Sequence, residues 1–171
     1  GGEMVRSMAR IMSSLVDELE KAKPDIVLSG FDIGANLAVT ISAAHMNIPV
    51  AHIQGGEVTG SIDESIRHTM SKFAHIHFPA TELSKQRLIR MGEDKNNIYV
   101  VGCPSIDVIL ETPIVDIDTL EEYFNLDFSK PILLMIQHPV TTEADDSFIQ
   151  IKETVDAIKE IAIQSVALLP N

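Results

Sequence analysis

The stretch "HIQGGEVTGSIDESIRH", residues 52–68, gathers two imidazoles, an amide, three carboxylates, a guanidinium and three glycines. Side chains of these types can exchange protons, hold a leaving anion or let backbone approach a ligand closely. Each part also has a plain reading. Asp63 and Arg67 are four apart, as an ordinary surface pair on a helix would be. The Gly55-Gly56 pair does not match the G-x-G-x-x-G fingerprint and alone reads as a turn. In "SIDE", Ser61 and Glu64 have capping-box spacing, with Ser61 capping a helix and Glu64 reaching back to the cap's N–H. Outside the stretch, His75 and His77 sit on one side of a strand without a third ligand at metal-site spacing. Cys103 reads as a packed thiol, since a nucleophile needs a lowered pKa that sequence does not supply.

The elements that must position these residues alternate. Met4, Met8, Ile11, Met12, Leu15, Val16 and Leu19 are spaced as one helix face over 4–21. Strands are then expected at 24–30, 48–54, 75–80 and 98–102. Between them come helices in "IGANLAVTISAAHMN", which opens at Ile33, from Ile62 to Ala74 and from Thr81 to Met91. A second unit starts with a strand at 131–138, a helix from Ser147 to Ile163 and a strand at 165–170. Strand–helix alternation of this length implies βαβ units and parallel sheets, so the fold class is α/β. The domain reading is 1–112 for a first Rossmann-like domain, 113–130 for a connection carrying a short helix, and 131–171 for the start of a second. A lone β-α-β unit does not cover both faces of a parallel sheet, so the chain is expected to be incomplete.

Ligands in open α/β sheets lie beyond the carboxyl ends of the strands. Asp32 follows Gly30, His52 and Gln54 close the strand at 48–54, and His138 closes the strand at 131–138. These four are therefore expected to converge on one edge.

Bulk properties narrow the classes. The 171 residues carry a formal charge of −12 without a Lys/Arg cluster, which disfavours a nucleic-acid surface. Arginines and helix N-termini still suit a small anion. A single cysteine excludes an intrachain disulfide framework and suits a reducing compartment, with no membrane-length apolar run, so a cytoplasmic location is expected.

"HIQGGEVTGSIDESIRH", continued by "KFAHIHFPATELSKQRLIRMGE", "VVGCPSIDVIL" and "QHPVTTE", closely resembles the hydrolysing UDP-N-acetylglucosamine 2-epimerases of sialic-acid and legionaminic-acid biosynthesis. The resemblance implies a GT-B-type two-domain architecture, here incomplete at both ends. It implies conversion of a UDP-HexNAc to UDP and the C2-inverted free sugar through a glycal, with no cofactor and no metal. By motif, Asp32, Asp63 and His138 correspond to catalytic residues, and Gln54 stands where the family usually has a catalytic glutamate. His52, Gly55, Gly56, Glu57, Arg67 and His77 fall where the family surrounds its substrate. The implied partner is a UDP-sugar, with a homo-oligomer possible and neither nucleic acid nor membrane expected. Two other readings stay open: a non-hydrolysing epimerase, against which "QGGE" in place of "EAG" counts, and a catalytically silent UDP-sugar module.

Overall fold

The computed structural model describes residues 2–31 and 33–169. The chain divides into two compact units, Gly1–Thr112 and Pro113–Asn171.

The first unit opens with α1 (Gly2–Ala22), followed by β1 (Val27–Gly30), α2 (Gly34–His45), β2 (Val50–Ile53), α3 (Ile62–Phe73), β3 (Ile76–Phe78), α4 (Glu82–Arg90) and α5 (Pro104–Glu111). The three strands form a parallel sheet in the order β1-β2-β3. Right-handed crossovers in that order put successive helices on one face. Side-chain contacts agree, because Ser29 on β1 meets Thr40 on α2 and His52 on β2 meets Ser71 on α3.

Helix α2 shows why small residues are used. It packs between α1 and the sheet and also touches α3, and it buries Ala38, Thr40, Ser42 and Ala43. A helix enclosed on several sides needs a narrow, mostly apolar surface. The sheet face carrying Val50, His52 and His77 is closed, and all three side chains are buried. On the opposite face Leu28 is 62% exposed. Phe78 there lies 6.1 Å from the Tyr99 ring.

Two expectations are corrected here. Residues 98–102 were expected as a strand, yet only an isolated bridge joins His77 to Ile98. Tyr99 N–H donates to His77 carbonyl at 2.9 Å and Val101 N–H to Pro79 carbonyl at 3.1 Å. The return bond to the Tyr99 carbonyl would come from residue 79, where proline has no N–H, so the ladder lapses. The second concerns the residues after 102 within 1–112, where no helix was expected and α5 forms. Its signal is Pro104 at the first helical turn, after Cys103 as N-cap.

The second unit holds α6 (Ile117–Phe124), β4 (Ile132–Ile136), α7 (Ser147–Ile161) and β5 (Gln164–Leu168), with β4 and β5 parallel. The short helix expected within 113–130 is α6, capped by Asp116, whose carboxylate accepts from Thr119 N–H. Gln164 ties the start of β5 to the turn before β4, its Oε1 accepting from Asp127 N–H at 2.8 Å. Helix α7 stops two residues earlier than its apolar spacing suggested, because Ala162 turns left-handed at φ 55°.

Candidate active site

Strand β2 ends with His52 and Ile53, and Gln54 then turns the chain at a left-handed φ of 60°. Gln54 N–H still donates to the Phe78 carbonyl at 2.9 Å, so this bend is anchored to β3. Phe31, at the end of β1, is left-handed too, with φ 64°. Both bends turn the chain at the carboxyl edge of the sheet. A cleft of about 130 Å³ opens there, lined by Phe31, His52, Ile53, Gln54, Glu57 and Arg67.

The two glycines after Gln54 have distinct reasons. A Cβ on Gly55 would lie 2.9 Å from both His52 Nδ1 and Ser71 Oγ, inside the contact those two atoms make. Gly56 has φ 82°, and its Cβ would sit 2.3 Å from the Ser84 carbonyl oxygen of α4. The pair thus lets the chain pass between α3 and α4. Arg87 of α4 fastens it by donating from Nη1 to the Gly56 carbonyl at 3.2 Å.

Arg67 is 6% exposed, and its Nη1 donates to the Glu57 carbonyl at 2.9 Å. A guanidinium in this position brings positive charge to the cleft wall while its stem packs beneath. His52 is held on its other side. Ser71 Oγ gives its own proton to the Arg67 carbonyl at 3.1 Å, so it must accept from His52 Nδ1–H at 3.1 Å. That arrangement selects the Nδ1–H tautomer of His52.

Asp63 lies in the first turn of α3. Its carboxylate accepts from Ser61 Oγ at 3.0 Å, and among the described residues no ion pair joins it to Arg67. The expected capping box is rearranged. Ser61 Oγ accepts from Asp63 N–H rather than from the Glu64 amide, and Glu64 Oε2 takes the N–H groups of Thr59 and Gly60 at 2.9 and 2.8 Å. Those amides, Gly60 first, hold the Glu64 carboxyl below the usual carboxylate range.

His77 is not among the residues lining the cleft. It is 1% exposed, and its Nε2 lies 3.2 Å from Glu93 Oε2, while Lys72 Nζ sits 2.6 Å from Glu93 Oε1. Burial pushes the His77 pKa down, opposed by Glu93. His138 belongs to the second unit, in the exposed loop after β4. Asp32 lies outside the described residues. The cleft therefore brings together His52, Gln54, Glu57 and Arg67, with Gly55 and Gly56 as its hinge.

One residue joins the site that sequence reasoning left as packing. Gln54 Nε2 donates to Cys103 Sγ at 3.1 Å. Backbone N–H of Ser105 first, and of Ile106 after it, draws the Cys103 thiol below its usual pKa. The Cys-Pro pair opening α5 was the available signal. Among the described residues no three His, Cys, Asp or Glu side chains gather closely enough to share a metal ion. No described helix is long and apolar enough to cross a membrane.

Parallel strands with a polar cleft at their carboxyl ends define an α/β protein whose ligand site lies where open parallel sheets carry one. The particular lineage follows from comparison. The family profile described as UDP-N-acetylglucosamine 2-epimerase matches residues 1–171, and the chain belongs to that family. It is 40% identical over 168 residues to a UDP-N,N'-diacetylbacillosamine 2-epimerase (hydrolyzing) of Legionella pneumophila, a match covering 98% of this chain and 45% of that one. It is 37% identical over 143 residues to a UDP-N-acetylglucosamine 2-epimerase of Neisseria meningitidis serogroup B, covering 84% of this chain and 37% of that one. Among solved structures, UDP-GlcNAc 2-epimerase from Neisseria meningitidis bound to UDP-GlcNAc superimposes with a TM-score of 0.79 at 25% identity, over 95% of this chain and 47% of that one. The fold is thus the parallel α/β type of the GT-B epimerases, and the chain spans about half the length of these relatives.

Proposed function

We propose that this chain is part of a hydrolysing 2-epimerase that takes a UDP-HexNAc, either UDP-N-acetylglucosamine or its diacetamido-trideoxy relative, to UDP and the C2-inverted free sugar. The supporting observation is the cleft at the sheet's carboxyl edge, where buried Arg67 and tautomer-fixed His52 stand beside Gln54 and the glycine hinge. Similarity to the Legionella protein, whose name includes the hydrolysing reaction, supports the subtype.

In this reading UDP departs first, breaking the C1–O bond and building oxocarbenium character that acidifies the neighbouring C2–H. A carboxylate takes that proton and leaves a glycal, and water then adds across the double bond with the opposite configuration at C2. Asp63, and Asp32 by motif, are the carboxylates assigned to this work. Arg67 and the helix N-termini answer the charge on the leaving diphosphate. His138 is assigned a catalytic part by motif alone. Gly55, Gly56, Glu57 and His52 shape the sugar side, and His77 supports the sheet beneath them. The reading places the enzyme in the cytoplasm, in the synthesis of a sialic- or legionaminic-type acid.

Gln54 favours a second reading, because an amide does not accept a proton as a carboxylate does. That reading is a UDP-sugar-binding module without turnover. Incubation of the full-length protein with each nucleotide sugar in deuterated water, followed by proton NMR, separates the two. Free C2-inverted sugar carrying deuterium at C2 supports hydrolysing epimerisation. Epimerised nucleotide sugar points to the non-hydrolysing reaction, and saturable binding without product to the silent module.

A further inference from the structure

The contact between Gln54 and Cys103 joins two places far apart in sequence, the end of β2 and the first turn of α5. Gln54 lines the cleft, and Cys103 is N-cap to α5 and only partly buried. A primary amide has a donor end and an acceptor end on opposite sides. Its Nε2 donates to Sγ at 3.1 Å, which commits the donor end to the sulfur and leaves the Oε1 end for the cleft. The sulfur is open to this donor, since the Cys103 side chain makes no cap bond to the first turn of α5 and a thiol sulfur is a weak acceptor. The backbone is committed as well: φ is 60° at Gln54, and its N–H is bound to the Phe78 carbonyl.

We propose that Cys103 is a positioning residue for this cleft, orienting Gln54 so that its amide oxygen is presented as a neutral acceptor to an amide N–H or hydroxyl of the bound sugar. The proposal rests on the functional reading above for the identity of the ligand, and on the hydrogen-bond geometry alone for the orientation. Cys103 itself touches Gln54 and not the ligand. The arrangement gives a physical account of glutamine at this position. An amide supplies an N–H for the sulfur to accept, whereas a carboxylate has no hydrogen to give and could only take the thiol's own weak S–H. The polarity offered to the sugar thereby changes from a charged base to an uncharged acceptor, so position 54 selects and orients the ligand rather than taking its proton.

The test uses the full-length protein and the variants Cys103→Ala, Cys103→Ser and Gln54→Glu, with UDP-N-acetylglucosamine and UDP-N,N'-diacetylbacillosamine as probes. Loss of one hydrogen bond to a fixed group predicts that Cys103→Ala raises KM about five- to tenfold. The same variant keeps kcat within about a factor of two, as for lost ground-state and transition-state binding in equal measure. Cys103→Ser recovers most of the loss, because its hydroxyl oxygen accepts the same N–H. A role in packing alone would lower Tm in Cys103→Ala without moving KM and would show no recovery with serine. Gln54→Glu alongside wild-type Cys103 raises KM as well, whereas combined with Cys103→Ala it raises KM less.

The side-chain amide signal of Gln54 in nitrogen-15 correlation spectra supplies a readout that needs no ligand. It shifts in Cys103→Ala and lies nearer its wild-type place in Cys103→Ser. An unchanged KM in Cys103→Ala, or an unmoved Gln54 signal, overturns the proposal. Should the wild-type protein neither bind nor convert either nucleotide sugar, the functional reading fails, and the amide signal alone then upholds or overturns the orientation.

Discussion

Replacing Gly56 with alanine tests whether the chain's passage between α3 and α4 is set by steric contact or by backbone conformation. Gly56 has φ 82°, a left-handed setting that costs a residue with a Cβ about 1–2 kcal/mol. Its Cβ would also fall 2.3 Å from the Ser84 carbonyl oxygen, a backbone atom in the first turns of α4 that does not rotate aside. Relief requires a shift of α4 or of the loop, at the roughly 1–3 kcal/mol typical of overpacking. The total is about 2–5 kcal/mol. Gly60 supplies the control, since it is left-handed at φ 71° but has nothing within 4 Å of its would-be Cβ. Gly60→Ala should therefore lose only the conformational share, about 1–2 kcal/mol. Urea unfolding of each full-length variant, followed by far-UV circular dichroism, reads the difference. With a slope near 2 kcal/mol per molar, the midpoint falls by about 1–2.5 M for Gly56→Ala and about 0.5–1 M for Gly60→Ala. Equal losses in the two variants would refute the steric part of the reasoning.

Other consequences follow from the titrating groups. His77 has its pKa lowered by burial, so between that lowered value and the ordinary one near 6.5 the unfolded chain binds a proton that the folded chain refuses. Stability from this group is complete above about pH 6.5 and falls as the pH drops, with a limiting slope of about 1.4 kcal/mol per unit. The difference between wild type and His77→Gln in unfolding free energies from urea titrations between pH 7.5 and 5 should approach that slope, and a pH-independent difference would sink the assignment. Glu64 has the opposite sign. Its carboxyl is lowered by the Gly60 and Thr59 amides, so its hold on the 59–60 turn is present above the usual carboxylate range and is lost as the pH falls through the lowered value. Glu64→Gln should speed hydrogen exchange at the Thr59 and Gly60 amides at neutral pH, and unchanged exchange would mean that the turn is held by other contacts.

Much of this architecture was legible because buried parallel strands are short apolar runs and the helices between them keep a helical apolar spacing. The failures are specific. Pro79 removes one donor and leaves 98–102 unladdered, an effect that depends on which strand lies alongside and not on the segment's own residues. Helix α5 escaped because Ile106, Val108, Ile109 and Leu110 show no polar face to set a period, and all four are exposed in this unit. At the site, sequence position at strand ends located His52 and Gln54 and the cleft's edge. It did not foresee that His77, the register partner of His52 on β3, would turn under the helices to Glu93, sixteen positions later in the chain. Nor did it distinguish a packed thiol from one that bonds Gln54, since the Gln54–Cys103 contact is made only when β2 and α5 are brought together in space.

Ser29, His52 and His77 occupy one row across the sheet, paired residue for residue through the strand register. Each meets a different partner overhead: Thr40 at 2.8 Å, Ser71 at 3.1 Å and Glu93 at 3.2 Å. A slip of any strand by one residue would swing its polar member to the sheet's other face and strand the partner above. The row is thus an alignment key, in which apolar burial draws the strands together and each polar tooth admits only one setting. For inheritance, it ties the two members of each pair into one unit of change, so that Ser29 with Thr40, or His77 with Glu93, should be exchanged together or left alone.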